Sequence, residues 1–129
     1  MFERLEISRE AFALATHAMT RQGAISANIA NADTPGYRAV DAADFAATLA
    51  DGGALQPVAT RASHLARPNA EQSFTVAARR SPGTESPNGN TVSLENEMVN
   101  AADVRHSYDM ALAIAKATTG LLRTSLGRR

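Results

Sequence analysis

Three histidines, His17, His64 and His106, are the side chains best suited to hold a metal or move a proton near neutral pH. They lie in three separate regions, and none has a second His or a Cys at ligand spacing, so no zinc-type site is predicted. They read as surface or capping residues. Asp41 and Asp44 could face one another on a turn, but paired carboxylates do acid–base work only when burial drives their pKa values apart. In a polar stretch they read as a helix start. Ser63 and His64 are adjacent, and neighbours in sequence do not by themselves make a nucleophile–base pair. Gly52-Gly53 lacks the spacing and the lysine of a phosphate-binding loop. The sequence therefore offers no catalytic constellation: no enzyme, cofactor, metal or small-molecule substrate is expected.

Composition narrows the remaining classes. The 129 residues contain no cysteine, which excludes disulfides, thiolate nucleophiles and zinc–thiolate sites. Acids and bases number 13 each, and the balance also holds locally, so no basic face points to nucleic acid. The opening MFERLEISRE alternates charged and apolar residues and lacks the pattern expected of a secretory signal peptide. No apolar run approaches the ~18–20 residues needed to span a bilayer. Aromatics make up 5% and there is no Trp, while Ala is abundant. Such a chain suits close helix–helix packing better than a thick core.

Three segments follow from patterning, together forming one structural domain. Residues 1–36 hold a helix over about 3–32 and a terminating turn. Phe2, Leu5, Phe12 and Met19 make one apolar stripe, and Ile7, Leu14, Ala18, Ile25, Ile29 and Ala32 make a second beside it. Gly23 marks a bend or a close backbone approach. Residues 37–91 carry four of the five prolines and read as an irregular middle. Within it Asp41–Ala50 suggests a short helix and Phe74–Ala78 a short strand, while residues 79–90 lack periodicity and read as a flexible loop. Residues 92–129 hold the clearest helix. Leu94, Ala101, Tyr108, Ala115 and Leu122 recur every seven residues, and so do Met98, Arg105, Leu112, Thr119 and Leu126, offset by four. Val104, Ala111, Ile114 and Leu121 widen this face. Ser93 is the expected N-cap, Glu95 and Glu97 occupy the first turn, and Gly127 lies past the end.

Each helix would run roughly 45–50 Å at ~1.5 Å per residue, so the two can pair along their length. The predicted fold is mainly α: a long antiparallel, coiled-coil-like hairpin of the terminal helices around an irregular, short-β middle. One hairpin covers one side of each helix. The simplest completion is neighbouring copies of the chain or of its relatives.

Between the helix and the middle lies ISANIANADTPGYRA, Ile25 to Ala39. Asn28 and Asn31 suit a helix C-terminus, Thr34 is pushed out of the α region by the proline, and Pro35-Gly36 fit the centre of a type II turn. Asn28 and Asn31 also share a helix face, where buried amides would set register between packed helices, because a slipped alignment leaves them unsatisfied. Tyr37 offers a flat apolar body with a polar tip that could dock the outgoing loop onto a neighbour.

NIANADTPGYRA resembles the Asn-rich, TPGY-containing signature of bacterial flagellar rod and hook proteins, and NGNTVSLENEMVNAADVRHSYDMALAIAKATTGLLRTSLGRR resembles their terminal helix. The likeness covers about residues 1–50 and 85–129. Asp33 stands where the commonest form of the motif has a second Asn. Within that axial family, the short length, Gly89–Val92 leading into Leu94-Glu95-Glu97-Met98, and the absence of a large inserted domain are similar to the proximal rod subunit.

The resemblance implies a structural subunit of a hollow drive shaft, with the helices in the inner tube and the middle facing outward. Subunits would leave through the flagellum's own export apparatus. Partners would be copies of the chain, other rod proteins, the membrane-ring protein and the adaptor at the rod base. Asn28, Asn31, Thr34, Pro35, Gly36 and Tyr37 would form the assembly motif. Leu5, Phe12, Met19, Ile25, Ile29, Leu94, Met98, Tyr108, Leu112, Leu122 and Leu126 would bury together and against neighbours. The competing expectation is a soluble coiled-coil adaptor or export chaperone, which should be a stable dimer alone.

Overall fold

The computed structural model of the chain describes residues 2–50, 74–79, 85–125 and 127. Two long helices dominate: α1, Phe2–Ala30, and α3, Leu94–Ser125. Between them come β1, Val40–Ala42, the short helix α2, Phe45–Ala50, and β2, Val76–Ala78. Residues 51–73 and 80–84, and with them His64, Ser63, Gly52 and Gly53, lie outside the described residues, as does Leu126.

Helix α1 runs without interruption because no proline falls inside it. Gly23 is tolerated in place: a Cβ there would meet nothing within 4 Å, so it marks no close approach. The helix ends as its last turn tightens, with the Asn31 N–H shared between the carbonyls of Ala27 (3.2 Å) and Asn28 (3.1 Å). The Thr34–Tyr37 turn follows. The Tyr37 N–H bonds Thr34 O at 3.3 Å and Gly36 has φ +70, as a type II turn requires. At the start of α3 the Ser93 Oγ accepts from the Asn96 N–H at 3.4 Å, and Gly127 adopts φ +66 just beyond the other end.

The two helices pack together through a core built mostly of alanine. Ala11, Ala15, Ala18 and Ile25 of α1 and Val104, Ala111 and Ala115 of α3 are buried. Ile25, Ala18 and Val104 form its centre, with Ala101 and Tyr108 against them. Small residues let the backbones approach closely, so even one buried Ile, worth ~1.5–3 kcal/mol, is a large share of the hydrophobic term. Towards the other end of the hairpin, Ser8 Oγ donates to Thr118 Oγ1 at 3.0 Å across the two helices.

This core corrects the predicted helical frame. The stripe Ala101–Tyr108–Ala115–Leu122 does face α1, but its companion is Glu97–Val104–Ala111–Thr118, not Met98–Arg105–Leu112–Thr119. Both companions repeat every seven residues. The chosen one presents small side chains to the alanine face of α1, whereas the other would have placed Arg105 in the seam. On α1 likewise, Ala18 and Ile25 of the second stripe are used, while Phe12 and Met19 of the first are not. In the single chain Phe12, Met19, Ile29, Leu94, Met98 and Leu112 are exposed, with Met98 at 64% and Met19 at 63%. Tyr108 and Leu122 are half-buried, and nothing is described of the Leu5 side chain.

The strands form an antiparallel ribbon with Val40 opposite Ala78, Asp41 opposite Ala77 and Ala42 opposite Val76. The Arg79 N–H extends it to Ala39 O at 2.7 Å. The helix expected over Asp41–Ala50 is therefore only its second half. Asp41 and Ala42 are drawn into the strand by β2, a partner more than 30 residues distant that no local propensity announces. Asp44 keeps the helix-start role, its carbonyl accepting from the Thr48 N–H at 3.0 Å.

Candidate functional site

Asn28 sits in the last turn of α1 and is fully buried. Its side-chain amide pairs with the backbone of Val40 as a neighbouring strand would: Nδ2 donates to Val40 O at 2.8 Å and Oδ1 accepts from Val40 N–H at 2.9 Å. The second Nδ2 hydrogen goes to Glu97 Oε2 at 3.0 Å, and the Tyr37 hydroxyl donates to Oδ1 at 3.4 Å. Two donors and two acceptors are thus all used. One amide holds α1, β1 and α3 together.

Asn31 does something smaller. It is half-buried; its Nδ2 caps Ala27 O at 2.8 Å and its Oδ1 accepts from the Thr34 hydroxyl at 3.2 Å. Tyr37 packs back within the chain, half-buried against Asn28. Within the subunit the Asn28 amide is fully used and Tyr37 rests against it, because the ribbon folds back over the end of α1. Pro35 and Gly36 stay on the surface at the tip of the turn.

Asn90 completes the junction, and sequence reasoning passed over it as part of a flexible loop. It is 1% exposed. Its Nδ2 lies 2.7–2.9 Å from the carbonyls of Asn31, Ala32 and Thr34, and its Oδ1 accepts from Val92 N–H at 2.8 Å. Around it, Ser86 N–H bonds Asn90 O at 2.9 Å and Gly36 N–H bonds Asn88 O at 3.0 Å. Residues 85–90 are thus pinned onto the Thr34–Tyr37 turn; the available signal was the tendency of Asn-Gly-Asn to fold back on its own backbone.

A charged chain runs beside these amides. Arg21 of α1 grips Asp41 of β1 with two hydrogen bonds of 3.0 Å. Arg79, at the end of β2, reaches Asp41 Oδ2 at 3.6 Å and Glu97 Oε1 of α3 at 2.6 Å. Glu97, expected merely to favour the helix dipole, is fully buried.

Burial pushes the Asp41 carboxyl up, but the hydrogen bond and charge of Arg21, with the Ala42 N–H and Arg79, outweigh it and hold it below the ordinary carboxylate range. A depressed folded value means that Asp41 stabilises the fold above its unfolded pKa, about 4, and that this contribution is lost as pH falls through the lower folded value. Asp41→Asn should therefore flatten the acid limb of stability below about pH 4; urea midpoints measured from pH 6 to pH 2 would check this.

His17 departs from its expected surface position. It is 5% exposed, with Nε2 2.7 Å from Ala43 O and its ring against Phe45 and Phe74, at centroid distances of 5.5 and 4.9 Å. It fastens α2 and the approach to β2 onto α1. His106 remains on the surface. Among the described residues no group of three His, Cys, Asp or Glu converges as a metal site would.

The opposite flank of α1 is left uncovered by the described residues. At ~100° per residue, Met19 points well away from His17, and an open groove of about 380 Å³ lies between α1 and α3 there. Ala18, Met19 and Gln22 line it from one helix, and Ala101, Val104, Arg105 and Tyr108 from the other. Leu94, Met98 and Leu112 continue along the same side of α3 by heptad spacing.

The α1 side of this junction, with Arg21, Asn28, Asn31 and the turn, falls in a segment shared with known proteins. A family model described as flagella basal body rod protein matches residues 15–38, from mid-α1 through the turn to Arg38. The flagellar basal body rod protein FlgB of Yersinia ruckeri is 36% identical over 102 residues, covering 73% of this chain and 74% of the relative. The chain belongs to the FlgB family of flagellar rod proteins. FlgB of Salmonella typhimurium is 34% identical, covering 73% of each chain, and FlgB of Escherichia coli is 37% identical, covering 72% of each. FlgB proteins are structural parts of the flagellar basal body rod, which sets the role and place of this chain at that level. No described helix is long and apolar enough to cross a membrane.

Proposed function

We propose that the chain polymerises with copies of itself and with other rod subunits into the hollow proximal rod, and that this rod carries torque through many parallel helix contacts. Its subunits reach the rod through the flagellar export apparatus and meet the membrane-ring protein and the rod-base adaptor at its foot. The observation that carries the reading is the exposed heptad face. Met98 and Leu112 stand two heptads apart in one stripe, either side of Arg105, and both are exposed in the single chain, as are Met19 on the facing wall of the groove and Phe12 two turns before it. Such a stripe is worth burying: each large apolar side chain removed from water contributes ~1.5–3 kcal/mol. The turn at Pro35-Gly36 then reverses the chain so that the ribbon lies over the end of the helix pair.

Placing charge on that face is the test. Met19→Glu with Met98→Glu should change the stability of the isolated subunit by only about 0.5 kcal/mol, as exposed substitutions do. In the rod each carboxylate would be buried without a partner, and assembly should fail. Circular dichroism of the purified chain and swimming in soft agar read the two effects separately, and normal swimming would defeat the proposal. Sedimentation at micromolar concentration addresses the adaptor reading, for which a discrete, stable dimer is required.

A further inference from the structure

Glu97 is a fully buried carboxylate at the interface of α1 and α3, and neither helix supplies its countercharge. From α1 it receives the neutral amide of Asn28. Among the described residues its one ionic partner is Arg79, which belongs to neither helix but to the end of β2. Arg79 is itself steered by Asp41, which Arg21 anchors to α1. The four charges cancel in sequence: Arg21, Asp41, Arg79, Glu97. A guanidinium can span two carboxylates on different elements at once, whereas the point charge of lysine cannot do so with the same geometry.

We propose that Arg79 is a latch through which the middle segment holds the two axial helices closed. With the ribbon docked over the hairpin, Glu97 is fully buried, and without Arg79 its carboxylate would lack a countercharge there, which is strongly unfavourable. Ribbon docking and hairpin closure are then coupled: the closed hairpin buries Glu97 beneath the ribbon only when the ribbon also brings Arg79. This goes beyond rod assembly, because it concerns when a single subunit becomes competent to present its groove.

Amide hydrogen exchange on the full chain tests the latch, with Arg79→Met, Glu97→Gln and the double variant beside the parent. Arg79→Met should lower the protection of the facing amides around Ala18–Ile25 and Val104–Ala111 by on the order of 100-fold. Glu97→Gln, which removes the charge that needs compensating, should lower it by about tenfold or less. The double variant should recover at least tenfold over Arg79→Met alone, because the stranded carboxylate is gone. A chain in which Arg79 only adds packing would instead make the double variant no better than the single. That result, full protection in Arg79→Met, or a parent chain with no protection at these amides, would overturn the proposal. Swimming of the same four strains reports on the rod reading, so failure of one is distinguishable from failure of the other.

Discussion

Asn28→Leu should lower the stability of the subunit by about 3 kcal/mol or more and stop swimming. Leucine has as many side-chain heavy atoms as asparagine and a similar branched outline, so it alters the shape less than the hydrogen bonding. The loss comes from partners left behind. Val40 N–H and C=O would both lose their side-chain partner, and each unsatisfied buried backbone group costs ~1–3 kcal/mol. Glu97 would lose its neutral donor and keep only Arg79. Asn31→Ala is the informative control. Its amide caps one carbonyl at the half-exposed end of α1, so the change should be about 1 kcal/mol or less. Urea unfolding of both variants decides the matter: equal effects at Asn28 and Asn31 would contradict a junction centred on Asn28.

Asn90→Ala should be nearly as damaging, by about 2–4 kcal/mol, and its effect should appear at a distance in sequence. Three carbonyls just past α1, those of Asn31, Ala32 and Thr34, converge on one amide delivered from just before α3. Asn31 O and Thr34 O keep turn bonds from the Thr34 and Tyr37 N–H groups, so the cost falls mainly on Ala32 O and on Val92 N–H, which lose their side-chain partner. The expected signature is faster amide exchange in the last turn of α1 and the Thr34–Tyr37 turn, with the middle of the α1–α3 contact less affected. Asn90→Asp keeps the acceptor for Val92 N–H but removes the donors, and should resemble Asn90→Ala. An aspartate variant as stable as the parent would show that Val92, not the end of α1, is what Asn90 serves.

The two asparagines that matter most differ in how visible they were. Asn28 stood out because it sits in an apolar helical pattern where an amide needs a reason. Within the subunit its amide ties α1, the ribbon and α3 together. Asn90 was hidden in a Pro/Gly-rich stretch that looked structureless, since the carbonyls it serves are nearly 60 residues away. Arg79 and Glu97 were invisible as a pair for the same reason. Opposite charges at a spacing of 18 residues carry no local signal, and Glu97 had a sufficient local explanation in the dipole of α3. His17 was misjudged because Phe45 and Phe74, which bury it, reach it only after the middle segment folds back.

What this chain determined locally is its helices, their caps and the turn at Pro35-Gly36. These depend on interactions within a few residues: absence of proline, seven-residue apolar spacing, Ser93 before α3, Gly36 where φ is positive. Which of two equally regular stripes on each helix turns inward was decided only in three dimensions. The physical reason is close packing: once the alanines of α1 set the distance between backbones, Val104 and Ala111 fit and Arg105 does not. The larger Met and Leu side chains were thereby left on the outside, where tertiary structure, and not periodicity, exposes them.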